Sequence, residues 1–576
     1  MTFLPCCCFC PSCLKTIQGV SIRGSLFDPS QTHQNISHDN TIHALASGDV
    51  GSPEWHQYPP ASPTNAFPDI FPTDVGYAGA TRPGAEPGLV ATAPSVPIHT
   101  GAPQLAVPSR LPKAKGPFPG AKKHFDMFQS WGSLSPWYSI ERGHFGVDSG
   151  PEAPESCRIT GLHLLHRHGA RNPADYKPGS GPGGLAFRLH ANATSLKATG
   201  PLSFLNEWTY KLGQEGLSAY GRAQLFDLGV SMRMKYGFLL NNFTESNTIP
   251  VFRTTSQTRM LASAQNFALG FFGFPYDGQY QQVVTIEAPQ FNNTLAPFET
   301  CANNNVPSKG YRGSSYVQAW TDRYLKDAVH RLQRHLHGYT LTVNDVYAMQ
   351  ESCAYETVVL GYSKFCELFT EKEWEGFDYA ADLKFWYGVA FGSPVAKAQG
   401  VGYVQELVSR LTETPLETHN SSTNATMHNP VQFPLGNSLY VDATHETVIL
   451  NVITALNLSS FAKTGPLPSS HIPSRRTFRS SELAPFATNI QFQLLCCDSK
   501  PERQIRVIIN DGVVPLTGVG ACSKQKDGMC AVSTFVEAQK ETIRTKGWAY
   551  ACSGEWDVPA GPAWETTTGE PPVMEE

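Results

Sequence analysis

The residue types best suited to chemistry lie between Arg167 and Pro173, in the order Arg-His-Gly-Ala-Arg-Asn-Pro. Arginine carries a planar fork of donors that matches phosphate oxygens, and it stays charged at any working pH. Histidine can act as a nucleophile when its ring is held in one tautomer, and Gly169 allows a ligand to approach the backbone closely. The motif therefore predicts a phosphate-binding loop in which His168 is the candidate nucleophile.

The stretch before this motif, Arg158 to Leu165, is short and largely apolar, which predicts a buried strand. Open α/β sheets place their ligand sites in the loops that follow such strands. His163 and His166 alternate with leucines in this stretch, so we expect them to pack inside the protein rather than to react.

A second histidine lies beside a carboxylic acid at His445-Glu446, after a run that predicts a strand at 439–441. The residues that follow have apolar side chains at helical spacing, so both groups should lie in the first turn of a helix, where the helix dipole favours anions. Glu446 could then protonate a leaving alcohol. The alternative is that His445 only caps the helix and Glu446 only complements its dipole. The apolar positions are Ile449, Val452, Ile453 and Leu456.

Composition excludes several classes of protein. The formal net charge of −5 gives no basic surface for nucleic acid, so nucleic acid is not an expected partner. No apolar run reaches the length of a membrane span. The N-terminus lacks the basic and apolar regions of a signal peptide, and its cysteines between Cys6 and Cys13 indicate either a start without function or a lipidation site.

The chain divides into three regions by composition. Residues 1–120 are rich in Pro, Ser, Gly and Ala and predict a disordered region. Residues 121–555 predict one α/β domain, with a mixed or parallel central sheet flanked by helices and a mainly helical insertion at roughly 175–435. Residues 556–576 are expected to form a flexible C-terminal tail.

Several blocks, taken together and in order, resemble the histidine acid phosphatase family, which includes the fungal phytases. The likeness covers roughly residues 124 to 555. The family implies a core like that of phosphoglycerate mutase, hydrolysis of phosphomonoesters that include phytate, and no metal or organic cofactor. The blocks that carry it are 131–136, 157–173, 252–271, 366–374, 399–403 and 510–516.

The resemblance also implies roles for individual residues. His168 would form a phosphohistidine, and Arg167, Arg171 and Arg259 would bind the phosphoryl group with His445 as a further donor. The chain departs from the family at Glu446, where the usual proton donor is an aspartate one methylene shorter.

Two lysines bear on which substrate the pocket would accept. Lys177 and Lys384 fall near lysines that line the outer pocket in phytases, but Phe385 stands where a neighbouring lysine is expected. A less basic pocket favours broad hydrolysis of phosphomonoesters.

The pair His38-Asp39 mimics the second catalytic motif, yet it precedes the first one and lies in low-complexity sequence, so we interpret it as coincidence.

The cysteines after residue 120 agree with the resemblance. The family pattern implies bridges between Cys301 and Cys552, Cys353 and Cys366, Cys522 and Cys530, and between Cys157 and either Cys496 or Cys497. Metal binding is the competing interpretation, but histidines do not stand at ligand spacing from these cysteines. Bridges imply an oxidising compartment, so we expect a secreted or wall-associated protein. The expected N-glycosylation sites are Asn35, Asn192, Asn242, Asn292, Asn420, Asn424 and Asn457.

Two other functions compete with a phosphatase. A phosphomutase would use the same histidine pocket but would keep the phosphoryl group for transfer. A relative that binds phosphate without turning it over would result if Glu446 cannot protonate the leaving group.

Overall fold

The computed structural model describes residues 125–174, 179–545, 547–559 and 561–573. The predicted disordered region 1–120, the cysteines between Cys6 and Cys13, the pair His38-Asp39 and the sequon at Asn35 lie outside the described residues. Lys177 does so as well.

An eight-stranded mixed sheet forms the centre of the described chain, which confirms the predicted fold class. Its strand order is β10-β8-β7-β1-β6-β3-β4, with β9 paired to β8, and β2 and β5 form a separate two-stranded sheet. The strands are β1 Cys157–Arg167, β2 Lys197–Ala198, β3 Val251–Thr255, β4 Gln281–Thr285, β5 Leu336–His337, β6 Leu439–Thr444, β7 Asn489–Cys497, β8 Gln504–Ile509, β9 Gly512–Val514 and β10 Cys530–Ala531.

Helices cover the sheet and build the region between β1 and β6. They are α1 Gly181–Ala191, α2 Ala219–Tyr236, α3 Asn241–Ser246, α4 Thr258–Phe272, α5 Gly313–Tyr324, α6 Lys326–Gln333, α7 Val343–Leu360, α8 Glu371–Val389, α9 Ala396–Thr412, α10 Glu446–Ala455, α11 Ser480–Leu483, α12 Val532–Thr545 and α13 Trp548–Ser553.

Four neighbouring strands of the sheet, β1, β6, β3 and β4, run parallel to one another. Their carboxyl ends therefore meet at one edge of the sheet, where the segments beginning at His168, His445, Ser256 and Ile286 emerge. Side chains that follow these strands are brought together there, which is the usual place for a ligand site in an α/β fold.

The predicted helical insertion is not continuous. The stretch from 175 to 435 contains β3, which pairs with β6 in the central sheet, and β4, which pairs with β3. The chain thus leaves the sheet after β1, returns for two strands, and leaves again for helices α5 to α9. The mainly helical segment of the predicted insertion therefore lies between β4 and β6.

Apolar burial is concentrated on both faces of the sheet. One cluster joins α8, α9 and α10 to β7 and β8, a second packs α7 around Trp131 and Trp374, and a third lies between the sheet and helices α2 and α4. Helices α2 and α4 approach closely because Gly229 and Gly270 lack side chains: a Cβ on either would overlap the backbone of the other helix.

The expected cysteine pairs are joined in the structure. Cys497, rather than Cys496, bonds to Cys157, because the two residues lie opposite each other in the β1–β7 ladder. Cys496 is a free cysteine on the other face of that strand. The remaining bridges are Cys301–Cys552, Cys353–Cys366 and Cys522–Cys530.

The segment after residue 555 differs from the expected flexible tail. Arg312 donates to the carbonyl oxygens of Gly561 and Trp564 at 2.9 and 2.8 Å. Lys397 forms an ion pair with Glu570 at 2.9 Å. The described part of the segment therefore packs along α5 and α9. Within the described residues, all helices are too short or too polar to cross a membrane.

Candidate active site

His168 follows directly after β1 and is completely buried. Its backbone amide donates to the carbonyl oxygen of Thr444 at the end of β6, at 3.2 Å. The ring atom Nδ1 lies 2.8 Å from the carbonyl oxygen of Gly169, which can only accept, so Nδ1 carries the hydrogen. The lone pair of a neutral ring then lies on Nε2, and burial together with the charge of Arg167 lowers the pKa of this histidine well below its usual range.

The loop after His168 is fixed against the first turn of α2. A Cβ on Gly169 would overlap the carbonyl group of Gly221, so this close approach requires glycine. The amide of Ala170 donates to Gln224 Oε1 at 2.9 Å, and the hydroxyl of Ser218 donates to the carbonyl oxygen of Ala170 at 3.0 Å. These contacts hold the nucleophile on a rigid support.

Arg167 lies beneath the site and is completely buried. Its Nη1 donates to the carbonyl oxygens of Ser133 and Ala484 at 2.5 and 2.7 Å, and its Nε donates to Glu446 at 3.0 Å. Burial lowers the pKa of Arg167 to about 10, although the Glu446 carboxylate opposes this shift. Its Nη2 has no hydrogen-bond partner in the described structure.

The two carbonyl groups that hold Arg167 are positioned by a buried acidic pair on α8. Asp378 accepts from the amide of Gly132, beside Ser133, at 3.2 Å. Asp382 accepts from the amide and the hydroxyl of Ser480, in the helix that precedes Ala484, at 2.7 and 2.8 Å. Arg476 forms ion pairs with both carboxylates. This cluster links α8 to the segments on either side of Arg167.

Arg171 and Arg259 complete a set of three arginines. Arg171 donates to the carbonyl oxygen of Asn172 at 2.8 Å. Tyr355 on α7 lies close enough to Arg171 to interact with it electrostatically. Arg259, the second residue of α4, lies 3.4 Å from the Glu215 carboxylate. Burial and the charge of Arg171 lower the pKa of Arg259. The Nε atoms of both arginines are buried without a hydrogen-bond partner in the described chain.

His445 caps α10 at the end of β6, and its ring lies 5.8 Å from the ring of His168. Its Nε2 is 2.9 Å from a carboxylate oxygen of Glu287, which accepts the hydrogen and fixes the ring orientation. Burial would raise the pKa of Glu287, but the hydrogen bond to His445 outweighs burial and lowers this pKa below its usual value. Sequence reasoning missed Glu287 and Tyr355. The position of Glu287, two residues after β4, is the one signal that could have revealed it.

Glu446 is the first residue of α10 and approaches the nucleophile directly. Its Oε2 lies 3.0 Å from Arg167 Nε and 3.3 Å from His168 Nε2, although the latter contact lacks hydrogen-bond geometry. Burial would raise the pKa of Glu446, but the charge of Arg167 outweighs it and holds that pKa well below its usual range. The longer side chain of glutamate therefore reaches the reacting atoms.

The remaining predicted histidines pack in the interior. His163 stacks on Tyr440 and His166 on Phe267, at centroid distances of 4.7 and 4.9 Å. Burial lowers their pKa values to about 3 and about 4, so both are neutral and face apolar rings.

An open cavity extends from the site between α5, α7 and α8. A recess of about 220 Å³ beside Arg259, His445 and Glu446 shares Asn304, Val389 and Thr447 with an outer cavity of about 480 Å³. Lys384 lies in the wall of the outer cavity, as the resemblance implied.

His168, His445 and Glu446 also bring possible metal ligands within 4.8 Å of one another. Arg167, which is hydrogen-bonded to Glu446, and the neighbouring Arg171 and Arg259 add positive charge around this cluster. Such a surrounding disfavours a divalent cation and favours an anion.

Known proteins resemble this chain over most of its length. A model of the histidine phosphatase superfamily (branch 2) matches residues 158–510. Phytase A of Aspergillus fumigatus is 32% identical over 443 residues, covering 74% of this chain and 88% of that protein. Phytase A of Emericella nidulans is 33% identical over 423 residues, covering 71% and 87% respectively.

The fold has also been seen in a crystal structure. The phytase from D. castellii has a TM-score of 0.61 and 21% sequence identity, covering 77% of this chain and 91% of that one. This likeness supports the architecture, while the family assignment depends on the sequence matches. The chain belongs to the histidine phosphatase superfamily, branch 2.

Proposed function

We propose that this protein hydrolyses phosphomonoesters through a phosphohistidine on His168. The observation that carries the proposal is the unpartnered Nε2 of His168 beside buried, unpartnered donors of Arg167, Arg171 and Arg259. A phosphoryl group supplies acceptors for these donors and an electrophile for the lone pair. Relatives named phytase make phytate a proposed substrate.

In the first half of the reaction His168 Nε2 attacks phosphorus, and the bond between phosphorus and the ester oxygen breaks. The arginines and His445 stabilise the charge on the non-bridging oxygens. Glu446 gives its proton to the departing alcohol oxygen. In the second half, water attacks phosphorus, Glu446 takes a proton from it, and the P–N bond breaks to release phosphate and free His168.

Glu446 must be protonated for the first half, whereas Arg167 favours its ionised form. An entering phosphate dianion beside the carboxylate opposes the effect of Arg167 and favours protonation. Acidic solution does the same, so activity should be highest below neutral pH.

Compartment and modification follow from the same proposal. The four disulfides fit an oxidising compartment better than the cytosol in which mutases act. Secretion or attachment to a cell wall, with N-linked glycans on exposed sequons such as Asn242, is therefore proposed.

The test is phosphate release from phytate and from an aryl phosphate between about pH 2 and 7, with acid-quench labelling of the phosphoenzyme. His168→Ala should remove the label and reduce turnover by more than about 10³-fold. His330→Ala, a change at an exposed histidine on α6, should leave both unchanged. Absence of turnover with both substrates would refute the proposal. Label that passes to an added phosphate acceptor instead of water would indicate a mutase, and label that never turns over would indicate a binding protein.

A further inference from the structure

The outer cavity next to the site has an unusual charge balance for an anion-binding protein. Among the described residues that line it, Lys384 is the one cation and Glu351 the one anion. The rest of the wall is neutral, with amide and aromatic side chains that include Asn304, Gln318 and Tyr347. The described part of the wall therefore carries no net charge.

We propose that Glu351 makes this cavity select a neutral, hydroxylated leaving group carrying a single phosphate, and disfavour a ring that carries many phosphates. The inference depends on the proposed function, because it concerns the part of the substrate that lies outside the phosphoryl pocket.

Glu351 is positioned by the helix that also reaches the arginines. It lies on α7, one turn before Tyr355, which interacts electrostatically with Arg171. The same face of α7 continues outward to Tyr347. A substrate whose phosphoryl group is held by Arg171 would therefore extend along this face and meet the Glu351 carboxylate next.

The Glu351 carboxylate is available to a ligand. It makes no hydrogen bond or ion pair with another described residue, and it lines the cavity while half-buried. A carboxylate in this position accepts hydrogen bonds from hydroxyl groups. Burial raises the pKa of Glu351 and the charge of Lys384 opposes that shift. The repulsion of a second phosphate is therefore expected at pH values above this pKa, where the carboxylate is ionised.

The cavity has the size and chemistry for a polyol or sugar. About 480 Å³ lies within the range of small-molecule sites. Amides such as Asn304 and Gln318 can donate to and accept from hydroxyl groups, while the ring of Phe385 offers an apolar face. A second phosphate dianion in the same space would face Glu351 with one lysine to balance it, and like charges at short distance repel strongly in a partly buried site.

The experiment keeps the leaving ring constant and varies its phosphates. The wild-type kcat/KM should be higher for myo-inositol monophosphate than for myo-inositol hexakisphosphate. Glu351→Gln should raise kcat/KM for the hexakisphosphate about tenfold and change that for the monophosphate less than about threefold. Glu375→Gln, on the exposed side of α8, is the matched control and should change neither value.

A second variant tests the same balance from the other side. Lys384→Gln should lower kcat/KM for the hexakisphosphate further, so the inference stays testable if Glu351→Gln does not fold. A wild-type preference for the hexakisphosphate, or the same substrate ratio in Glu351→Gln and the wild type, would overturn it. Failure of the proposed function is distinguishable, since an aryl phosphate would then also release no phosphate.

Discussion

The carboxylate of Glu446 lies between His168, the proposed nucleophile, and Arg167, a proposed phosphate ligand. It contacts Arg167 Nε at 3.0 Å and approaches His168 Nε2 at 3.3 Å. The proposed attack on phosphorus uses His168 Nε2, so Glu446 must shift away from this atom when a substrate binds. The extra methylene of glutamate permits both arrangements, because rotation about its side-chain bonds moves the carboxylate without moving α10.

Replacement of Glu446 by Gln should reduce kcat for an alkyl phosphate by about 10²- to 10⁴-fold, since general-acid help is lost. An aryl phosphate should suffer less, because its leaving group needs little protonation. The measurement is kcat for a series of esters with leaving groups of increasing acidity. An equal loss across the series would contradict a role for Glu446 as proton donor. Glu446→Asp serves as the conservative control, because it retains the acid and shortens its reach.

The residues of the site differ in how far sequence could predict them. His168 and its two flanking arginines are recognisable because they are local and closely spaced. Glu287 and the carbonyl groups of Ser133 and Ala484 are not, because they act only through contacts made by folding. A glutamate two residues after a strand and an ordinary peptide carbonyl carry no signal until the sheet order is known.

A buried ion network joins the strands behind the site. Arg253 on β3 pairs with Asp442 on β6 and with Glu406 on α9, at 2.6 and 2.7 Å, and Arg410 pairs with Asp442 at 2.6 Å. Burial would raise the pKa of each carboxyl. Arg253 and His428 instead lower the pKa of Glu406 to about 2, and Arg253 and Arg410 hold that of Asp442 well below its usual range. The network ties β6, which ends beside His445, to its neighbours.

This network should make stability depend on acid pH. Both carboxyl pKa values are lower in the folded state than the values of about 4 expected on unfolding, so below about pH 5 the unfolded chain binds more protons. The free energy of unfolding should therefore fall as the pH drops from about 5 towards 2. Denaturant unfolding at several pH values measures this.

Glu406→Gln should lower the free energy of unfolding at neutral pH by about 3 kcal/mol, because it leaves buried cations short of a partner. It should also flatten the acid dependence. Asp148→Asn, at an exposed pair with Arg142, should change stability by less than about 1 kcal/mol. Parallel pH curves for Glu406→Gln and the wild type would show that the network does not set the acid response.

Secondary-structure elements were predictable where their apolar spacing is strong. The helix after Glu446 has its apolar residues Ile449, Val452, Ile453 and Leu456 buried as predicted. Strands β3 and β4 were not assigned, because they are five residues long and include polar side chains such as Gln281 and Gln282. Their place in the sheet depends on the pairing of β3 with β6, more than 150 residues away in sequence, and on the pairing of β4 with β3.

At the scale of the whole molecule, the C-terminal segment closes the domain beside the outer cavity. The guanidinium of Arg312, at the start of α5, is buried between two carbonyl groups of this segment and the ring of Trp564, 5.0 Å from the ring centroid. Tyr387 on α8 donates to Glu565 at 3.0 Å. Helices α5 and α8 also form walls of the outer cavity, so the segment supports the region that is proposed to contact the leaving group.

Truncation before Gly561 should lower the thermal midpoint by about 3–6 °C, since it exposes apolar surface and removes two carbonyl acceptors from Arg312. KM should rise because α5 and α8 lose support, while kcat should change little because His168 and the arginines lie on other elements. Arg312→Ala in the full-length chain should reproduce part of the thermal shift. Unchanged stability and KM after truncation would mean that the segment, although packed in the structure, contributes nothing to holding these helices.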